Sequence, residues 1–169
     1  MLDDALGSSG GDFDVQLYGL SAVVYAERGS EILMLKRAGG AMAGQWFLPG
    51  GAADRDELPE VAARRELIEE TGLDVDGDLE IVGAYPIWVY GGDCLQISYR
   101  GKVVDGDPII SHEHSDARWT DPVKWRSAWT DDVVEAVAAG NERVGQLVRN
   151  IRTDLDRYLQ RIGRAIGSD

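Results

Sequence analysis

Residues 51–73 read GAADRDELPEVAARRELIEETGL, and the reading of this stretch decides the rest. Pro59 to Thr71 predicts a helix, with proline in the first turn and Gly72 as its C-terminal stop. Leu58, just before it, is a poor N-cap. Glu66, Glu69 and Glu70 stand at i, i+3 and i+4, so on a helix they fall within about 100° of arc. Like charges at these spacings cost a few tenths of a kcal/mol per pair, and more when partly buried. A hard divalent cation would offset that cost, because carboxylate and carbonyl oxygens suit Mg²⁺ or Mn²⁺. On an arbitrary helix three such glutamates are usually a solvated face. Arg65, four residues before Glu69, also offers an ordinary ion pair. The glutamates alone decide nothing.

Their surroundings do. The order is Gly51, five residues, Glu57, seven residues, Arg65-Glu66-Leu67, one residue, Glu69-Glu70, one residue, Gly72-Leu73. All nine fixed positions of the signature of the Nudix hydrolases are filled, and a chance match in a chain of this composition is roughly one in a million. The chain therefore resembles that family. The resemblance implies an α+β Nudix fold, a mixed β-sheet sandwiched between α-helices, and a divalent cofactor, Mg²⁺ with Mn²⁺ as the alternative. It implies that Glu66, Glu69 and Glu70 hold metal, with the Gly50 carbonyl beside them, and Glu69 is taken as the general base. Glu57 and Arg65 are implied to be a supporting ion pair that fixes the loop against the helix. On the same reading Ala62 and Ala63 lie toward the metal, leaving room for phosphate oxygens. Val61 and Ile68 are expected to pack the opposite flank against the core. The reaction is attack of water on a phosphorus of a diphosphate linkage, with a carboxylate taking the proton.

Outward from this box, two β-patterns precede it, Gln16 to Ala26 and Glu31 to Lys36, with a turn at Arg28-Gly29-Ser30. A small-residue loop, 38–45, leads to Trp46-Phe47-Leu48-Pro49-Gly50-Gly51. After the box, Leu79 to Tyr90 and Cys94 to Val104 read as a hairpin around Gly91-Gly92-Asp93, and Ala117 to Thr120 as a short strand. Val144, Leu147, Val148, Ile151, Leu155, Tyr158, Leu159 and Ile162 form one apolar stripe on a long C-terminal helix. Such a stripe is more often core than interface, although it is compatible with a homodimer contact. Residues 1–14, rich in Gly, Ser and Asp, read as a mobile tail, and 15–165 as a single domain.

Several side chains outside the box are candidates. Arg37, at the end of the second strand, is placed to meet a phosphate, or is simply solvated. In SHEHSDARW (111–119) Glu113 is the favoured further metal ligand or base, ahead of Asp116. His112 and His114 are expected on the surface. Trp46, Trp88, Trp119, Trp125 and Trp129 are each expected as core, yet they include candidates for a base-stacking platform. Trp88 and Tyr90 share one strand face, in the segment where relatives vary with substrate, and with Trp119 and Arg37 they make up the expected substrate contacts. A tyrosine at about this distance beyond the box resembles the dinucleoside polyphosphate subgroup. The signature of the NADH-cleaving subgroup is absent downstream.

Composition narrows the substrate. The chain has 169 residues, 44% apolar and 28% charged, enough for one domain with a core. Seventeen Lys and Arg against thirty Asp and Glu give a net charge of −13, which repels nucleic-acid backbones and anionic lipid. It would also repel a phosphorylated substrate unless a bound cation reverses the sign locally. A single cysteine, Cys94, precludes an intrachain disulfide and fits a reducing compartment. With no secretory leader read at the N-terminus, the expected location is the cytoplasm. The expected substrate is a small nucleotide: a nucleoside triphosphate, ADP-ribose or a sugar nucleotide, or a dinucleoside polyphosphate. The alternative is a catalytically inactive module of the same fold that binds a nucleotide without cleaving it. An isoprenyl diphosphate isomerase would want a catalytic cysteine, and Cys94 falls in a predicted strand.

Overall fold

Alternating apolar residues in Gly19–Arg28 send Ala22, Val24 and Ala26 to one face of a sheet and Tyr25 to the other, and the two faces acquire different covers. A computed structural model describes residues 18–40, 42–89, 91–104 and 106–164. The expected tail, Gln16, Tyr90 and residue 165 lie outside the described residues. The strands are β1 (Gly19–Arg28), β2 (Glu31–Arg37), β3 (Trp46–Phe47), β4 (Gly50–Ala52), β5 (Glu80–Val89), β6 (Gly92–Lys102) and β7 (His114–Thr120). The helices are α1 (Pro59–Thr71), α2 (Pro122–Ser127), α3 (Asp131–Gly140) and α4 (Glu142–Arg161). The sheet runs β3-β2-β1-β6-β5, with β4 paired to β1 and β7 paired to β2. β1 and β6 are parallel, and the other strand pairs are antiparallel, so the sheet is mixed as expected. No helix among the described residues is long and apolar enough to cross a membrane.

One face of the sheet carries α1, whose Ala62, Ala63 and Leu67 pack on Ala22, Val24, Leu33 and Leu35. The other carries α4, whose Leu155, Tyr158 and Leu159 pack on Tyr25, Ile32, Met34 and Val82. Tyr25 and Tyr158 stack with ring centroids 4.1 Å apart. The C-terminal stripe is thus core.

The orientation of α1 corrects the sequence reading. Ala62 and Ala63 do not face a phosphate: both are fully buried against the sheet, while Val61 and Ile68 are exposed. At 100° per residue, positions 62, 63, 66, 67, 70 and 71 share one arc, with 61 and 68 opposite it. Alanine lets the helix approach the sheet closely, and that approach draws Glu66 and Glu70 inward on the same arc. The ends match expectation. Leu58 gives no side-chain cap, Pro59 opens the helix, and Gly72 adopts φ 69° with its N–H on the Ile68 carbonyl.

A buried carboxylate fastens α4. Asp154, fully buried, accepts from Ser98 Oγ at 2.7 Å and from Tyr25 OH at 2.9 Å. Burial outweighs these two bonds and holds its carboxyl above the ordinary carboxylate range. Asp154→Ala leaves the Tyr25 hydroxyl without its acceptor and Ser98 Oγ with only the longer bond to the Gly83 carbonyl at 3.3 Å, and a loss of about 2 kcal/mol in unfolding free energy is expected. Urea denaturation checks it, and a loss within error of zero would show that α4 is held by its apolar stripe alone.

Candidate active site

β1 aligns β4 through Ser21↔Ala52, Ala22↔Gly51 and Val23↔Gly50, which sets the backbone of 50–52 beside the buried arc of α1. Gly50 has φ 147°, and a Cβ there would come within 2.2 Å of the Ala22 carbonyl oxygen, so only glycine fits. A Cβ on Gly51 would meet the Glu66 carboxylate at 2.6 Å. The missing side chain is the cradle in which that carboxylate lies. Glu70, also buried, accepts the Gly50 N–H on Oε2 at 2.9 Å.

The segment after β6 closes the site from the other side. Ile109 N–H bonds the Thr71 carbonyl, Ser111 N–H the Glu70 carbonyl, and Ala38 N–H the Glu113 carbonyl. These bonds tie the last turn of α1 to the end of β2 and bring together side chains far apart in sequence. Glu66, Glu70 and Glu113 with Arg37 line a cavity of about 240 Å³ over the backbone of Gly50–Ala52. Arg37 Nη1 stands 3.5 Å from Glu113 Oε2. Asp116 does not line this cavity and is exposed.

Glu69, at the edge of the acidic arc, is more exposed than Glu57, Glu66 or Glu70 and rests on Arg65 Nη1 at 3.1 Å. The same nitrogen donates to Glu66 Oε1 at 2.9 Å. The rest of the guanidinium grips the loop: Nε and Nη2 donate to the two oxygens of Glu57, each at 2.9 Å, and Nη2 also to the Ala52 carbonyl at 3.0 Å. The fork-to-fork bond to Arg65, helped by the Asp54 N–H, holds Glu57 near 2, well below its ordinary value of 4.5.

Glu70 is pushed the other way. Burial raises its carboxyl to about 8, and the neighbouring charges of Glu66 and Glu113 add to the rise against the Gly50 N–H and Arg37. A desolvated carboxylate with two carboxylate neighbours and a close backbone is a hard oxygen donor set, which fits Mg²⁺ or Mn²⁺. Among the described residues no three acidic, His or Cys side chains are already gathered as a ligand cluster; Arg65 and the Gly50 N–H engage the glutamates instead. Gly51→Ala should therefore keep the fold, because the clashing group is the far end of a flexible side chain. It should still weaken Mn²⁺ binding about 10-fold by turning Glu66 out of its cradle. Calorimetric titration reads the binding, and wild-type affinity would show that Glu66 needs no such seat.

His114 corrects the expectation of a surface histidine. It is buried, its Nε2 lies 3.6 Å from Glu70 Oε1, and burial followed by the Arg37 charge holds it below the ordinary value. His112 is exposed. No local signal in the sequence marks this burial, which follows from the place of His114 at the start of β7, opposite Arg37. The aromatic candidates do not join the cavity. Trp119 pairs with Leu33 and lies under Arg28, whose guanidinium stands 3.9 Å from its ring. Trp88 is exposed in a separate hollow with Leu147 of α4, under Arg143 at 4.6 Å. Trp46, Trp119, Trp125 and Trp129 are half-buried.

Comparison with known proteins gives a consistent picture. The family model described as "NUDIX domain" matches residues 16–136. A "MutT-like protein" of Streptomyces ambofaciens is 35% identical over 61% of this chain and 62% of its own, so the match spans less than two thirds of that relative. An "Oxidized purine nucleoside triphosphate hydrolase" of Danio rerio is 32% identical over 68% of this chain and 74% of its own. The crystal structure of a MutT protein from Methanosarcina mazei Go1 superposes with a TM-score of 0.63 at 24% identity, covering 87% of this chain and 96% of that one, and speaks to the fold.

Proposed function

The chain belongs to the NUDIX family, and from that premise we propose that it is a metal-dependent hydrolase cleaving a diphosphate linkage in a small nucleotide. The observation that carries the reading is the cavity where Glu66, Glu70 and Glu113 face Arg37 over the Gly50–Ala52 backbone. Glu66 and Glu70, joined by Glu113 and the Gly50 carbonyl, would hold the cation. A bound Mg²⁺ or Mn²⁺ supplies neutralisation of phosphate oxygens and a more acidic water. Arg37 binds a phosphate oxygen and exchanges Glu113 for it, which orients the phosphorus toward the acidic arc. Glu69, expected from the resemblance as a further ligand but exposed and outside the cavity lining, takes the proton from the attacking water. Arg65 and Glu57 keep the loop and the helix in register while this happens.

The substrate class is a nucleoside diphosphate linked to another group. Purine nucleoside triphosphates with an oxidised base stand first, because the Danio rerio relative is named for them. The test is incubation with Mg²⁺ and a panel of oxidised and ordinary nucleoside triphosphates, ADP-ribose, sugar nucleotides and dinucleoside polyphosphates, with products identified by mass spectrometry. Metal-dependent cleavage that disappears in Glu70→Gln supports the proposal, and the products name the linkage. Heat-stabilisation by one compound without cleavage of any would favour the binding module instead.

A further inference from the structure

We propose that His114 is a positioning residue for Glu70, its imidazole fixing the one carboxylate oxygen that the backbone leaves unfixed. This rests on the reading of Glu70 as a metal-holding group. Glu70 Oε2 is pinned by the Gly50 N–H at 2.9 Å, while Oε1 has His114 Nε2 beside it at 3.6 Å, a separation that a small shift turns into a hydrogen bond. The imidazole side chain is 2% exposed and the Glu70 side chain 7%, so bulk water has little access to the contact between them.

Three features aim the ring. The β2–β7 pairing shifts register between Lys36 and Arg37, which sets His114 opposite Arg37 and turns it inward at the first position of β7. The His114 N–H bonds the Ser111 carbonyl at 3.1 Å. Ser111 in turn donates to the Glu70 carbonyl at 2.9 Å, so the segment that carries the ring is anchored on the residue the ring faces. Nδ1 of the same ring is buried and finds no hydrogen-bond partner among the described residues. An apolar side chain of equal volume would fill the space without that cost, so packing alone does not account for an imidazole here. Its polar edge toward Glu70 does. A carboxylate held from both sides presents its remaining lone pairs to the cavity in one orientation, the arrangement by which outer partners tune a ligand set.

The test compares His114→Leu, which keeps the volume and removes the donor, with His114→Gln, whose amide reaches the Nε2 position. Mn²⁺ affinity is measured by titration calorimetry and by the electron paramagnetic signal of free Mn²⁺, alongside kcat, KM and melting temperature. His114→Leu is expected to fold, to bind Mn²⁺ about 10-fold more weakly and to lose kcat at unchanged KM, with His114→Gln recovering to within about 3-fold. Wild-type affinity and kcat in a folded His114→Leu overturn the proposal. Should His114→Leu fail to fold, His114→Asn, too short to reach Oε1, replaces it: weakened binding in Asn but not in Gln supports the proposal, and equal binding in both overturns it. Equal Mn²⁺ binding by wild type and Glu70→Gln is a different pattern, which defeats the metal-holding reading of Glu70 and this inference with it.

Discussion

Glu69→Gln should melt within a degree or two of the wild type, bind Mn²⁺ with little change, and turn over nucleotide at least 100-fold more slowly. The glutamine is isosteric, and its side chain occupies an exposed edge of α1, so packing is untouched. The amide oxygen can still accept from Arg65 Nη1, which preserves the 3.1 Å contact in kind. What disappears is the ability to take a proton, and general-base catalysis contributes about 10²–10⁴ in rate. The expected loss is therefore in kcat, with KM nearly unchanged. Glu70→Gln is the contrasting case. Its carboxylate is buried over the cavity, and its removal should appear first as weaker Mn²⁺ binding. Near-wild-type turnover by Glu69→Gln in Mg²⁺ would assign the proton transfer to another carboxylate, with Glu66, Glu70 and Glu113 the ones that line the cavity.

The parts of this site that were legible in the sequence are local. A proline-opened, glycine-closed helix follows from backbone chemistry within fourteen consecutive positions, 59–72, and the structure has both ends as read. The Glu57–Arg65 pair was expected because the resemblance to the family implied it, and the two-residue period of β1 separated its faces. Which side of α1 meets the sheet was not. The apolar Val61 and Ile68 suggested one flank, yet the helix buries Ala62, Ala63, Leu67 and Glu70, because closeness to the sheet was worth more there than the apolar bulk of the other flank. A pattern of hydrophobicity cannot show that Gly51 lacks a side chain in order to seat Glu66.

The rest depends on distant pairings. Arg37 and Glu113 are 76 positions apart, from 37 to 113, and meet because β7 pairs with β2, a partnership no local signal reveals. His114 was read as solvated for the same reason: its burial is made by the last turn of α1 and by the register shift opposite it. Trp88 was grouped with the substrate contacts by its position in a variable segment. In the fold it stands in a different hollow, against α4 and Arg143.

Arg65→Ala should cost both stability and activity, and the pH dependence of the first separates it from a simple packing loss. The guanidinium joins Glu57, Glu66, Glu69 and the Ala52 carbonyl, so its removal releases the 52–57 loop and leaves three carboxylates without their shared cation. Turnover should fall by about 100-fold, since Glu66 and Glu69 lose their common tether and the loop no longer holds Gly51 under Glu66. At pH 7 the melting temperature should drop by several degrees. The sign with pH follows from Glu57, whose carboxyl is depressed in the fold from 4.5 to about 2. A depressed carboxylate contributes stability that is fully present above its unfolded value and is lost as pH falls through the folded one. The gap in melting temperature between wild type and Arg65→Ala should accordingly be constant above about pH 5.5 and narrow progressively toward pH 2. Calorimetric melts at half-unit steps would measure it. A gap independent of pH would mean that the arginine acts through the packing of its stem and not through Glu57.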